Sequence, residues 1–159
     1  MSSHVIHQIA SYGFLFSFLL ACCFSILSIR RKEIPLERLS AWTFVVCFVL
    51  LCIAYVPGFG LEAALKGSPK AISRLAERHH DMAKFVLTGM TLATAASLTV
   101  LYKFRGQRFP NWFLPNLLFL AMMIATFSIR SMVYAFQLDN HPARHSPETY
   151  ISPSPTPFQ

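Results

Sequence analysis

The chain has 159 residues, of which 54% are hydrophobic and only 13% charged, and its mean hydropathy is +0.47. Soluble domains carry about 25% charged residues, so this composition predicts an integral membrane protein. A net charge of +7 would suit nucleic acid, but the basic residues stand in the gaps between apolar runs, as topology signals do. We therefore exclude nucleic acid as a partner and expect one domain in the lipid bilayer.

Four apolar segments follow one another along the chain, each at or near the length that a transmembrane helix needs. They cover residues 9–29, 39–56, 82–102 and 112–136. A crossing helix takes about 20 apolar residues, and its backbone groups must be satisfied within the helix itself. The second segment is slightly short, and Pro57 is predicted to stop it. Because short links make neighbouring helices antiparallel, the sequence predicts an all-α, up-down-up-down four-helix transmembrane bundle within residues 1–145.

Two segments outside these spans have patterns of their own. Residues 61–66 and 71–78 are amphipathic and helix-friendly, and a Gly-Ser-Pro break separates them. They predict a short interfacial helix between helices two and three. Residues 146–159 contain four prolines and no core-forming pattern, which predicts an extended tail.

The distribution of basic residues favours one orientation in the membrane. The links between helices one and two and between helices three and four hold Arg30, Arg31, Lys32, Arg38, Lys103, Arg105 and Arg108. The opposite face holds Lys66, Lys70, Arg74, Arg78 and Arg144. Since basic residues are commoner on the cytoplasmic side, both termini are predicted on the periplasmic side of a bacterial inner membrane.

All six histidines fall on one face of the predicted bundle. They come at the start of helix one, at the start of helix three and after the end of helix four, which an up-down bundle brings to one membrane surface. They are His4, His7, His79, His80, His141 and His145. The sequence therefore predicts a histidine-rich face on the side of the termini.

Helical phase extends this face with further polar side chains. At about 100° per residue, the predicted stripe on helix three comprises His80, Lys84, Thr88 and Thr91. The predicted stripe on helix four comprises Arg130, Tyr134, Gln137 and His141. A charge in the membrane normally faces the bundle interior or a watery cavity, so Lys84 and Arg130 are predicted to point inward.

Two imidazoles at one depth on facing helices can ligate b-type haem, whose potential then depends on ligands and burial. His7 and His80 are the preferred axial pair, because helices one and three can lie on the diagonal. Lys84 and Arg130 would meet haem propionates or a quinone headgroup. Reserve ligands, or a second pair for a second haem, are His4, His79, His141 and His145.

The sequence thus favours an electron-transfer subunit of a larger respiratory or photosynthetic membrane complex, or a homo-oligomer. Beyond the histidines no acid, base or nucleophile constellation indicates an enzyme. Two alternatives stay open. One is a histidine-box metal-dependent membrane enzyme, for which His141 and His145 supply an H-x-x-x-H spacing. The other is an accessory subunit without a cofactor, whose basic residues hold a lipid headgroup or quinone.

Three short motifs carry a resemblance to a known group of proteins. They are "SHVIHQIA", "ERHHDMAKF" and "LDNHPARHSPE". They resemble motifs at the same places in a group of bacterial four-helix integral membrane proteins that are predicted to be b-type cytochrome-like. The resemblance covers residues 4–148 and implies a four-helix bundle with a histidine face. The chain departs from that pattern in lacking a proline after His4 and in carrying Asp139 and Asn140 where the group has two glycines.

Overall fold

The structure, a computed structural model, describes residues 3–65 and 70–140. The helices are α1 (Ser3–Arg31), α2 (Ile34–Leu65), α3 (Lys70–Lys103) and α4 (Phe113–Asp139). Each contains a stretch that is long and apolar enough to cross a membrane. No strand occurs in the described ranges. The predicted all-α four-helix transmembrane architecture is therefore confirmed, and the chain is an integral membrane protein by its spans.

The helices reach further than predicted at the end of the bundle that holds the histidines. The backbone of α2 stays helical past Pro57 to Leu65, and α3 is already helical at Lys70. The predicted separate interfacial helix is thus found as extensions of α2 and α3. A proline removes one backbone hydrogen bond, but residues 61–65 are strong helix formers that continue the helix beyond it. The predicted tail 146–159 lies outside the described residues.

Contacts between neighbouring helices show that they run antiparallel. His7 of α1 contacts Ala54 of α2. Ser25, further along α1, contacts Ser40, which comes earlier in α2. The same reversal relates α2 to α3 and α3 to α4. Packing is most extensive between α1 and α2, then between α3 and α4, then between α2 and α3, and it is slight between α1 and α4. Helices α1 and α3 therefore lie on the diagonal as predicted.

Large apolar side chains fill the middle of the bundle, and small residues let the helices approach. Phe44, Met90 and Ile124 are completely or almost completely buried. A Cβ atom on Gly89 would lie only 2.7 Å from Ile124 Cγ1, which shows how closely α3 and α4 approach there. Small residues serve the same purpose in other membrane bundles, where lipid removes the hydrophobic drive for helices to associate.

The loop between α3 and α4 is fastened to the start of α2 at the end away from the histidines. The Glu37 carboxylate accepts a hydrogen bond from the backbone N–H of Phe109 at 2.8 Å. Arg38 Nη2 donates to the carbonyl oxygen of Phe104 at 3.3 Å. Gly106, between these two anchor points, takes φ +79° and turns the chain back toward α4. The loop therefore depends on two charged side chains of one helix.

Candidate functional site

The structure brings three of the six histidines to one end of the bundle from two different helices. His7 comes from α1, and His79 and His80 come from α3; all three are half-buried. The backbone of His4 lies in the first turn of α1. The side chain of His4 and the whole of His141 and His145 lie outside the described part of the chain.

His7 is oriented by a hydrogen bond to α2. Its Nδ1 atom lies 2.7 Å from the carbonyl oxygen of Ala54. Because a carbonyl oxygen only accepts, the ring must carry a proton on Nδ1, and in the neutral ring the lone pair is then on Nε2. Metal-ligating histidines are held in this way, with one ring nitrogen donating to a carbonyl and the other coordinating.

His80 contacts the next residue of α2. Its ring stacks on Tyr55 with the centroids 5.9 Å apart and the planes inclined by 26°. Since Tyr55 directly follows Ala54, the rings of His7 and His80 contact one turn of α2 from the two helices that flank it. The two imidazoles that were predicted as an axial pair are therefore at the same level of the bundle.

His79 faces the other neighbour of α3. Its Nδ1 atom lies 2.9 Å from the carbonyl oxygen of Ser131 on α4, and 3.0 Å from the hydroxyl oxygen of the same residue. The carbonyl again requires the proton on Nδ1. The adjacent histidines of α3 thus contact different helices, His79 toward α4 and His80 toward α2.

Lys84 and Arg130 do not point inward, contrary to the prediction. The side chain of Lys84 is 55% exposed and forms an ion pair at 3.4 Å with Asp81, which is equally accessible. Thr88 and Thr91 of the predicted stripe are also exposed, and their hydroxyls donate to carbonyls of their own helix. Larger apolar residues occupy the buried side of α3, and a self-satisfied threonine can face lipid without an unpaired hydroxyl.

Arg130 occupies a position in the membrane that is costly for a charge. It is exposed on the outer surface of α4, eight residues before the end of the span Phe113–Leu138. At 1.5 Å per residue this is about 12 Å along the helix. Within the described ranges it has no hydrogen bond and no ion pair. A guanidinium at this depth needs water, an anionic headgroup or a partner's carboxylate.

A cavity that the sequence analysis missed lies at the opposite end of the bundle. Its volume is about 280 Å³, and we call it the loop cavity. Its lining consists of Ser28, Ile29, Lys32, Glu37, Phe109, Pro110, Asn111 and Leu114. Lys32 was counted only among the basic residues that indicate membrane orientation, and no role was predicted for Glu37. The available signal was a single carboxylate in the first turn of α2 among basic neighbours.

Among residues 3–65 and 70–140, no three His, Cys, Asp or Glu side chains come together as a metal-binding group. The histidine-box interpretation depends on His141 and His145, which are outside those ranges. Comparison of the chain with protein-family models, with curated proteins and with solved structures finds no match. The resemblance to cytochrome-like bundles therefore stays a prediction.

Proposed function

We propose that this protein binds b-type haem at the histidine end of the bundle and transfers electrons as a subunit of a larger membrane complex, with quinone as a candidate partner. The observation that carries the proposal is the placement of His7 and His80. They come from the diagonal helices α1 and α3 and contact consecutive residues of α2. Bis-histidine ligation requires two imidazoles at one depth, and this is the arrangement of these two rings.

The chain's own contacts suit this role. The hydrogen bond to Ala54 fixes the ring of His7 and leaves Nε2 as the nitrogen that can coordinate. Tyr55 touches the face of the His80 ring, whereas an imidazole coordinates through a nitrogen at its edge. Stacking on Tyr55 therefore orients the ring of His80 through its face.

Haem, when bound, would supply a one-electron redox centre whose potential reflects its axial ligands and its burial. The helices of this chain would hold the imidazoles of His7 and His80 in place and keep bulk water away from the haem. Lys84 and Arg130 face outward, so we leave them out of the proposed ligand set. His79 belongs to the contact between α3 and α4, so we leave it out of the proposed ligand set as well.

Optical spectroscopy of the purified protein tests the proposal. The full chain in mild detergent, titrated with haemin, is expected to give a Soret band and a sharp α band after reduction with dithionite. His7→Ala and His80→Ala should each lower haem affinity by more than about tenfold, since each removes an axial ligand. His79→Ala is the matched control and should keep the spectrum. A spectrum no different from that of haemin in detergent alone, or an unchanged spectrum in the double variant H7A/H80A, contradicts haem ligation by this pair.

One observation favours a second function, that of an accessory subunit without a cofactor. Arg130 is exposed on a membrane span and unpaired among the described residues. A carboxylate from a partner helix would satisfy it, since intramembrane charges pair with one another. Arg130→Leu should then release the protein from its complex on native gels, whereas Thr126→Leu, an exposed position one turn earlier, should not. Equal complex size for all three proteins would contradict this role.

A further inference from the structure

The loop cavity contains a carboxylate whose charge is not balanced by the fold. Glu37 is only 7% exposed. One of its oxygens, Oε2, accepts the N–H of Phe109 at 2.8 Å. The described part of the chain offers Glu37 no ion pair. A buried carboxylate is stable when a cation or several donors face it, so the second oxygen of Glu37 has capacity for a ligand that carries positive charge.

A second buried group in the same cavity also lacks a partner. Ser28 is 1% exposed, lines the cavity, and its hydroxyl has no hydrogen bond. The hydroxyl oxygen of Ser28 has no surface open to the cavity, so Ser28 forms part of the wall, whereas the second oxygen of Glu37 is not closed off in this way. The volume of about 280 Å³ exceeds the roughly 30 Å³ of one water several times. The occupant can therefore be a small polar molecule.

The rim of the cavity has the opposite charge to its interior. Lys32 and Asn111 both line the cavity and both are exposed. An anion would bind at the Lys32 ammonium, in the same cavity as the cation expected at Glu37. Phe109 and Leu114 supply apolar wall between these groups. The cavity thus presents a buried carboxylate and an exposed ammonium. This arrangement is complementary to a zwitterion that enters the cavity with its positively charged end first.

The position of the cavity in the bundle indicates where such a molecule comes from. It is bounded by the end of α1, the start of α2 and the start of α4, where three membrane spans reach the headgroup level. From this geometry we propose that the loop cavity binds a phosphoethanolamine group, with its ammonium on Glu37 and its phosphate at Lys32. The group can belong to phosphatidylethanolamine or to free phosphoethanolamine, and the chemistry of recognition is the same.

A competition between two lipids tests this site independently of haem. The purified full chain is equilibrated in mixed micelles with equal amounts of phosphatidylethanolamine and phosphatidylcholine of matched acyl chains, and bound lipids are counted by native mass spectrometry. The choline nitrogen has no N–H to donate, whereas the ethanolamine ammonium has three. Wild type is expected to prefer phosphatidylethanolamine by about tenfold or more, as a charge-assisted hydrogen bond allows.

Three variants separate ligand binding from structural effects. Glu37→Gln keeps an acceptor for Phe109 N–H but loses the charge, and it should abolish the preference. Glu33→Gln is the matched control, because Glu33 is exposed and lies one turn earlier in sequence; its preference should equal that of wild type. Glu37→Asp keeps the charge but withdraws it by one methylene, and it should reduce the preference several-fold even if Glu37→Gln fails to fold.

Each outcome of the competition has a defined meaning. Equal binding of the two lipids by wild type overturns the proposal, because it shows that Lys32 or water satisfies Glu37. Unchanged preference in the folded variants E37Q and E37D overturns it as well. Free phosphoethanolamine is then added as competitor: displacement of the lipid assigns the site to the soluble molecule, and persistence of the lipid assigns it to the bilayer component, both in agreement with the proposed chemistry.

Discussion

His79 of α3 donates through Nδ1 to the carbonyl oxygen of Ser131 on α4, at 2.9 Å. This hydrogen bond joins two helices at the end of the bundle where α3 and α4 approach the membrane surface. The ring of His80, the next residue, stacks on Tyr55 of α2 instead. The pair of histidines therefore holds α3 between its two neighbours, and the two side chains are expected to respond differently to mutation.

Substitution of His79 by alanine should weaken the bundle modestly. Interhelical side-chain hydrogen bonds in membrane proteins contribute about 0.6 kcal/mol on average and reach about 1.7 kcal/mol. We expect His79→Ala to lower the free energy of unfolding within that range, measured by circular dichroism during titration with sodium dodecyl sulfate. Arg78→Ala, a change at the exposed preceding residue, is the control. If H79A is as stable as R78A, the hydrogen bond of His79 contributes nothing to the free energy of unfolding.

Gly89 and Gly13 should respond in opposite ways to the same methyl group. A Cβ on Gly89 meets Ile124 Cγ1 at 2.7 Å, whereas a Cβ on Gly13 meets Leu50 Cδ1 at an ordinary 3.7 Å. Gly89→Ala is therefore expected to cost about 1–3 kcal/mol of unfolding free energy through overpacking. Gly13→Ala should be neutral or stabilise, because alanine is the better helix former. Equal stabilities of the two variants would contradict the close approach of α3 and α4.

The fold was predictable because its main determinant is apolar length. Four segments of bilayer length admit few arrangements other than four helices, and short links require them to be antiparallel. The helix ends were less predictable. Pro57 was expected to stop α2, yet the helix continues to Leu65, because the helix-forming residues that follow outweigh one lost hydrogen bond. Whether a proline ends a helix therefore depends also on residues several positions away from it.

The candidate site was predictable only in part, for a different reason. Histidine positions at helix ends follow from topology, so the common level of His7 and His80 could be anticipated. The direction of Lys84 and Arg130 could not. Helical phase gives their angle relative to other residues of the same helix, but the side that faces the core depends on which side packs better. In α3 that side holds Val86, Met90 and Ala93.

The loop cavity could not be predicted, since it is assembled from three separate helix ends. Ser28 and Glu37 come from the adjoining ends of α1 and α2, and only the fold brings Asn111 to them. Their types, a serine, a glutamate and an asparagine, are unremarkable at helix termini. The informative property is that Glu37 is buried without an ion pair among the described residues, and ion pairs are visible only in the structure.

Ser25 and Ser40 should show strong coupling in a double-mutant cycle. Their hydroxyl oxygens lie 2.6 Å apart, and both residues are completely buried. Ser25 already donates to the carbonyl oxygen of Ala21, so Ser40 must be the donor between the two hydroxyls. Ser40→Ala removes that donor, and Ser25→Ala leaves the Ser40 hydroxyl unpaired, which costs about 1–3 kcal/mol.

The double variant S25A/S40A should therefore lose less stability than the sum of the two single variants, by about 1 kcal/mol. Unfolding free energies from detergent titrations give the four corners of the cycle. Thr99→Ala is a useful reference, since its exposed hydroxyl bonds only to its own helix. Strictly additive losses would contradict a direct bond between the serines.

Gly106 offers a test of backbone conformation that is free of packing effects. It takes φ +79°, and a Cβ built on it has no atom within 4 Å. Alanine in the left-handed region costs roughly 1–2 kcal/mol, partly offset by the smaller entropy of the unfolded chain. Gly106→Ala should therefore lower the unfolding free energy by about 1 kcal/mol and speed proteolysis of the loop between α3 and α4.

Gly106→Asn separates conformation from side-chain size in the same loop. Asparagine is larger than alanine but adopts positive φ more readily, because its amide can bond to the local backbone. We expect G106N to retain more stability than G106A, which reverses the order expected from bulk. If both variants were as stable as wild type, the positive φ at Gly106 would not constrain the loop, and its anchoring by Glu37 at Phe109 would be enough to hold it.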